Sequence, residues 1–464
     1  MPSGSAHGLT ARLFTLISLE SALILGAVGA AAYLRLGGED FMVLGASGGF
    51  QKALVIVATC QLSLYFADLY DSRVFCDHRE LFVRMLQALG ATSLVLAVVY
   101  YWFPDLVMGR GVFAIASGLV IALVMGWRLA FDWLTGHMAA HERLLLVGTN
   151  QAAVKLAREL HERRHEFGVE IVGFIDPDIQ RVGAAVVNPG VIGTVEDIPA
   201  IARARGVDRI VVSLSDARGK LPMGKLLDLK LEGMAFDHLA SVYEEYTGKI
   251  ALENLRPSWL IFSSGFRKSR LLAAAKRLVD VTVALVGLCL TLPVLALLAV
   301  AVKLTSAGPA LYQQRRVGQH GRVFTIYKLR SMRADAEAAT GAVWAARDDD
   351  RITRIGRFLR RSRLDELPQL WNVICGDMSL VGPRPERPEF VKDLTRLIPF
   401  YGQRHVVRPG LTGWAQVRYT YGASVEDAME KLQYDLYYIK NMTIGMDLFI
   451  LLATFKTVIL HKGA

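Results

Sequence analysis

No charged residue lies between Asp280 and Lys303, and the uncharged run holds a single proline, Pro293. An apolar stretch of that length exceeds what one face of a small soluble domain can cover, and about 17–25 such residues suffice to cross a bilayer. Four further apolar stretches, near 13–34, 53–69, 81–103 and 112–134, fill the start of the chain. Hydrophobic residues make up 53% of all 464, which a wholly soluble chain would not need. The first run is too long for the apolar core of a cleaved leader and lacks a small-residue cleavage site, so it is expected to stay.

These runs predict a membrane protein that opens with a four-helix transmembrane bundle over residues 1–138. Arg12, Arg73, Arg79, Arg84, Arg128 and Arg143 fall on one side if the N-terminus is cytoplasmic, against Arg35, Lys52 and Arg110 on the other. Asp68 and Asp71 read as exposed loop acids at a helix end. Cys60, Cys76, Cys289 and Cys375 are scattered without metal or disulfide spacing and are expected to be inert packing residues.

From Arg143 the texture becomes that of an α/β domain, expected over 139–265. "RLLLVGTN", "VEIVGFID" and "DRIVVSL" read as buried parallel strands, with "AAVKLARELHERR" and "VEDIPAIARARG" as the helices between them. The first turn carries Asn150 where a dinucleotide-binding loop has its second glycine. A side chain there obstructs a pyrophosphate, which argues for a Rossmann-like domain kept for regulation or assembly.

The remainder, 266–464, opens with the run around Pro293. A simple span would carry an arginine-rich domain out of the cytoplasm, whereas a proline break lets the helix return to the face it entered. A re-entrant helix over 277–304, broken at Pro293, is therefore expected, followed by a small α-rich domain.

That domain concentrates the chemistry. "YQQRRVGQHGRVFTIYKLRSMR" ends in Lys328, Arg330 and Arg333. "RITRIGRFLRRSR" repeats arginine every three residues, opposite Ile352, Ile355 and Leu359, a pattern suited to an anionic membrane surface. The net charge of +10 would also suit nucleic acid, but no recognition motif is present and none is expected as a partner.

In "RSRLDELPQLWNVICGDMSLVGPRP" Pro368 places a helix start near Leu364, with Asp365 and Glu366 at its positive end, ionised. A capping box from Ser362 to Asp365 is the plain structural alternative. Two acids beside Arg360, with Arg384 held between prolines, suit phosphoryl transfer, in which cations clamp phosphate oxygens and a carboxylate binds metal or attacks.

The blocks "YKLRSM", "LDELPQLWNVICGDMSLVGPRP" and "RPGLTGWAQV" resemble the signatures of the bacterial sugar transferases, the polyprenyl-phosphate hexose-1-phosphate transferases, over about the last 190 residues. The four helices and Rossmann-like domain resemble the large members, and the tail resembles an exopolysaccharide branch.

The resemblance implies a ping-pong reaction in the bacterial inner membrane, catalytic domain on the cytoplasmic face. Asp365 would attack the sugar-bearing phosphate of a UDP-sugar, releasing UMP, and undecaprenyl phosphate would accept the sugar-phosphate. Glu366 would bind Mg²⁺, and Lys328, Arg330, Arg360 and Arg384 would bind phosphate. Asp435 and Asp447 lie where the family has a further functional acid. Membrane lipid is a partner on this reading, and a two-fold homodimer is the base-rate expectation. A non-catalytic scaffold of a polysaccharide assembly complex is the alternative.

Overall fold

The computed structural model describes residues 5–37, 48–67, 69–70, 78–107, 111–138, 142–162, 169–213, 221–252, 260, 263, 265–266, 268–333, 336, 350–419, 422 and 424–459. Asp68, Asp71 and Cys76 lie outside them. The chain divides into two compact units, Met1–Leu239 and Ala240–Ala464.

The first unit opens with four helices, α1 (Ser5–Leu36), α2 (Gly49–Phe66), α3 (His78–Trp102) and α4 (Val112–Met138). They share a core that includes Ile24, Val28, Ile56, Leu64, Met85, Val120 and Val124. Stretches of α1, α2 and α3 are long and apolar enough to cross a membrane, whereas the apolar part of α4, Ala114–Ala130, is shorter. Fully buried within this core, Arg128 bonds Glu20 Oε1 at 2.6 Å through Nε and Glu20 Oε2 at 3.0 Å through Nη2. Tyr70 Oη donates to the same carboxylate at 2.7 Å. A charge pair so placed is tolerated because each partner satisfies the other.

The α/β part follows as β1 (Glu142–Val147), α5 (Gln151–Glu162), β2 (Val169–Ile175), β3 (Val191–Gly193), α6 (Ile198–Ala204), β4 (Arg209–Val212), α7 (Met223–Leu231) and β5 (Ala235–His238). The strands form one parallel sheet in the order β3-β2-β1-β4-β5, with the switch point between β1 and β4. At that crevice, Asn150 Oδ1 accepts from Ala153 N at 2.9 Å and from Ser213 Oγ at 2.8 Å. The side chain thus caps α5 and ties it to the end of β4. A cavity of about 390 Å³ beside it is lined by Thr149, Gln151, Val154, Lys155 and Arg158.

The second unit begins with α8 (Leu239–Thr247) and continues with α9 (Arg270–Thr305), the hairpin β6 (Leu311–Val317) and β7 (Val323–Leu329), α10 (Arg354–Arg361), α11 (Gln369–Cys375), β8 (Ser379–Val381), α12 (Pro388–Leu397), β9 (Gly410–Thr412), α13 (Trp414–Arg418), α14 (Val425–Asn441) and α15 (Ile444–Ile459). The break between units falls before the 265/266 boundary expected from sequence, for a visible reason. Ile250 and Leu252 are buried in a core shared with Leu370, Met378, Trp414 and Leu436. Glu244 pairs with Lys440 at 2.5 Å and accepts from Asn441 at 2.9 Å, and Lys249 pairs with Glu430 at 2.7 Å.

Pro293 does not end its helix: α9 is continuous over 36 residues. Its first half is pinned by polar contacts. Lys276 Nζ meets Asp447 at 2.6 Å and Val381 O at 3.2 Å, and Arg277 caps the carbonyl end of α11 through Val373 O and Ile374 O at 2.7 and 2.9 Å. Asp280 accepts from Ser379 Oγ at 2.8 Å and Leu380 N at 3.2 Å. Further along, Leu288 touches the same core, and Leu295 and Val302 pack on Leu329 and Leu359. The opposite face, including Leu285, Leu290, Leu297 and Leu304, is exposed.

Two expectations change here. Leu359 of α10 is buried against α9 and β7, so much of that helix's apolar side is covered by protein rather than left for lipid. Cys60 is buried, whereas Cys289 and Cys375 are exposed rather than part of a core. Lys249→Met leaves the partly buried Glu430 without its cation and is expected to cost on the order of 2–3 kcal/mol. A urea melt of the solubilised protein checks this; an unchanged midpoint would mean that residues 240–252 are not anchored on α14.

Candidate active site

The acid pair sits where the chain makes an abrupt turn. Helix α10 stops at Arg361, and Arg363 takes a left-handed backbone with φ 57°, a conformation that costs a residue with a side chain about 1–2 kcal/mol. A 3-10 turn, Leu364–Glu366, follows, and α11 starts only at Gln369, because Pro368 has no N–H to give an earlier α-helical bond. The helix therefore begins later than expected, and both acids precede it. The capping box is absent: Ser362 Oγ donates back to Phe358 O at 2.8 Å, and no side chain caps the turn. Gly356 allows α10 to press on the strand exit, since a Cβ there would stand 1.8 Å from Ser331 O.

Both acids are buried, Asp365 6% and Glu366 9% exposed. Glu366 Oε1 accepts from Arg384 Nη2 at 2.6 Å and Lys328 Nζ at 3.1 Å, and Arg363 Nη1 lies 3.9 Å from Oε2. Burial alone would push Glu366 up, but Arg384, Lys328 and Arg363 together hold it well below the usual carboxylate range. Asp365 behaves oppositely. Burial, then the charge of Glu366, pushes its carboxyl up to about 6, with Lys328, Arg360 and Arg363 pulling the other way. Its Oδ1 is buried without a hydrogen-bond partner. Two neighbouring acids expected to be alike are therefore split, one firmly ionised and the other close to its titration point. Lys328 is itself drawn below its ordinary value by burial, with Glu366 acting against that pull.

The structure thus brings Asp365, Glu366, Lys328 and Arg384 into one cluster. Arg360 is close enough to act on Asp365 and donates to Ser331 Oγ at 3.1 Å. Arg330 Nη2 donates to Ser306 O at 2.7 Å and Ser306 Oγ at 2.8 Å, closing the carbonyl end of α9, while Nε and Nη1 are buried without partners. Asp435 lies behind the cluster, 2.8 Å from Arg404 Nη2, and that nitrogen also donates to Arg384 O at 3.0 Å. Burial raises the Asp435 carboxyl against the pull of Arg404. Asp447 instead pairs with Lys276 of α9 and accepts from Tyr438 Oη of α14 at 2.6 Å. Sequence reasoning missed Arg363 and Arg404. The first shows only in its backbone, and the second is a lone loop cation with no spacing signal.

Apolar helices long enough to cross a membrane, and a fold that buries an acid pair under cations, are the features of an enzyme at a membrane. The family profile described as bacterial sugar transferase matches residues 271–461, and one described as a CoA-binding domain matches 65–221. The chain is 42% identical over 227 residues to a UDP-N-acetylgalactosamine-undecaprenyl-phosphate N-acetylgalactosaminephosphotransferase of Aeromonas hydrophila, covering 49% of this chain and 53% of that protein. It is 33% identical over 342 residues to a UDP-glucose:undecaprenyl-phosphate glucose-1-phosphate transferase of Xanthomonas campestris pv. campestris, covering 70% and 68%. A protein of the same description in Escherichia coli (strain K12) is 32% identical over 354 residues, covering 73% and 72%. The chain spans about half the first relative and more than two thirds of the other two. It belongs to the bacterial sugar transferase family and is a phosphotransferase, which leaves the scaffold alternative unsupported.

The environment of Asp365 has a sign that can be checked. Its folded pKa lies above the unfolded value of 3.8, so the ionised side chain costs stability above about pH 6, and that cost vanishes below about pH 4. Asp365→Asn is expected to raise the melting temperature by a few degrees at pH 7.5 and by nothing at pH 4. A scan across pH showing the reverse order would contradict this environment.

Proposed function

We propose that this chain transfers a sugar-1-phosphate from a UDP-sugar to undecaprenyl phosphate, starting exopolysaccharide or O-antigen assembly, with a covalent sugar-phosphate on Asp365 between two half-reactions. The observation that carries this reading is the buried, unpartnered Oδ1 of an acid whose neighbour is gripped at one oxygen by two cations. An attacking carboxylate must be ionised yet poorly solvated, and Asp365 meets both conditions above about pH 6. In the first half, an Asp365 oxygen bonds to the sugar-bearing phosphorus and the bond to the other phosphate breaks, releasing UMP. In the second, an oxygen of undecaprenyl phosphate attacks that phosphorus and frees the carboxylate. Arg384, Lys328 and Arg360 supply positive charge to the phosphate oxygens. Keeping Glu366 ionised fixes the field around its neighbour.

A magnesium ion fits these residues. Glu366 Oε2 lies 3.9 Å from Arg363 Nη1, the short bonds from Arg384 and Lys328 going to Oε1, and Asp365 Oδ1 is buried without a partner. Among the described residues no group of three or more His, Cys, Asp or Glu could hold a metal. Mg²⁺ is commonly held by one or two carboxylates, with substrate phosphates and water completing its shell. When bound, it would draw negative charge from the diphosphate.

We also propose that α9, helical through Pro293, bends at that residue inside the membrane and returns to the face it entered, with the catalytic unit on the cytoplasmic face of the inner membrane. In support, one domain holds the helix at Lys276 and Asp280 and again at Val302 and Ser306. A helix crossing the bilayer straight would carry Val302 and Ser306 to the far side, away from the domain that holds Lys276 and Asp280.

Two experiments test the reading. Wild-type enzyme given labelled UDP-sugar without lipid acceptor is expected to release UMP and retain label on the peptide carrying Asp365. Label elsewhere, or UMP release that strictly needs lipid, would sink the covalent route. For topology, single cysteines at Lys303 and in the C-terminal segment are expected to resist an impermeant thiol reagent in intact cells. Labelling of either from outside would overturn the re-entrant placement.

A further inference from the structure

The loop Pro383-Arg384-Pro385 delivers the cation that grips Glu366, and its prolines restrict the backbone without fixing where the loop sits. Two arginines hold it by consecutive carbonyls. Arg404 Nη2 donates to Arg384 O at 3.0 Å, and Arg316 Nη1 donates to Pro385 O at 3.2 Å and reaches Glu386 Oε2 at 3.5 Å.

Arg316 is held in turn by its own strand. Side chains two apart on a β-strand share a face, which places Tyr312, Gln314 and Arg316 of β6 in one row. Gln314 Oε1 accepts from Arg316 Nε at 3.1 Å and Nη2 at 2.6 Å, and Gln314 Nε2 donates to Tyr312 Oη at 3.1 Å. The backbone joins in, with Val317 N donating to Glu386 O at 2.9 Å. The Arg316 guanidinium is mostly buried, and Arg384 and Arg387 are near enough to disfavour its charge. A like-charged neighbour is a poor choice for simple cohesion, but a useful one where a loop must present a cation at a fixed position.

We propose that Arg316, aimed by Gln314, is a positioning residue for the transfer reaction: it fixes the Pro383-Arg384-Pro385 loop so that Arg384 meets Glu366. The inference rests on the reading of Asp365 and Glu366 as the reacting pair. Arg316 acts through the loop and touches no substrate. Misplacing Arg384 therefore harms the chemical step more than donor binding.

The test is steady-state kinetics of the full-length protein in detergent or lipid, with undecaprenyl phosphate and the UDP-sugar that the wild type turns over. Arg316→Gln is expected to lower kcat at least about ten-fold while the donor KM stays within about three-fold. Arg316→Lys, which can still reach one carbonyl, should recover part of the loss, and Gln314→Leu should move kcat in the same direction by less. Adding Arg316→Gln to Arg384→Met should cost little beyond Arg384→Met alone, because both changes empty the same contact.

A raised KM with unchanged kcat in Arg316→Gln would mean direct donor binding and would overturn the proposal. So would fully additive losses, or equal losses in the Lys and Gln variants accompanied by equal falls in melting temperature. Asp365→Asn in parallel separates the two readings. If it keeps activity, the reacting pair is misassigned; if it is dead while Arg316→Gln and Gln314→Leu turn over normally, only the positioning role fails.

Discussion

Glu366 is a buried carboxylate that two cations, Arg384 and Lys328, reach at the same oxygen. Much of the second unit can be understood as the means of keeping that arrangement. An unpaired buried carboxylate would take up a proton, and unpaired cations in the same place would repel one another, so neither side tolerates loss of the other. Lys328 comes from β7, Arg384 from the loop after β8, and Glu366 from the turn before α11. Three segments far apart in sequence must meet within about 3 Å. Asn372 helps to set the spacing: its Nδ2 donates to Thr325 O at 2.8 Å, locking α11 to the strand that carries Lys328.

The same electrostatics divides the labour between adjacent residues. The charge that the cations stabilise on Glu366 is one of the forces raising Asp365. Stability is given up at Asp365 and held at Glu366, a pattern typical of reacting groups beside their supports.

The sequence made the acids, Lys328, Arg384 and the apolar runs legible because each signal is local: a motif, a proline, a length. Three of the five strands of the α/β sheet were equally readable from short buried runs, and Asn150 stands at the turn after β1, where its side chain caps α5. What escaped depends on partners distant in sequence. Arg404 and Arg316 matter because they reach the carbonyls of Arg384 and Pro385, and nothing in the residues around them marks that. Arg330 shares a motif with Lys328 yet closes the end of α9, because position along a strand does not say which way a long side chain turns at its end. The expected boundary at 266 followed a polar connector, while the true packing follows Ile250 and Leu252, whose core is supplied by residues more than 100 positions later.

Helix α9 is fastened to the catalytic fold near both ends and touches it midway, where Leu370 stands 3.4 Å from the place a side chain on Gly287 would occupy. Helix and acid pair therefore belong to one packed body. Whatever depth the exposed leucines take in a bilayer, Asp365 inherits, and its height above the lipid becomes a fixed dimension of the molecule. In the transfer proposed above, a lipid acceptor is then selected first by altitude. Its phosphate must ride at that level, and encounters occur by drift within a plane rather than by search through a volume.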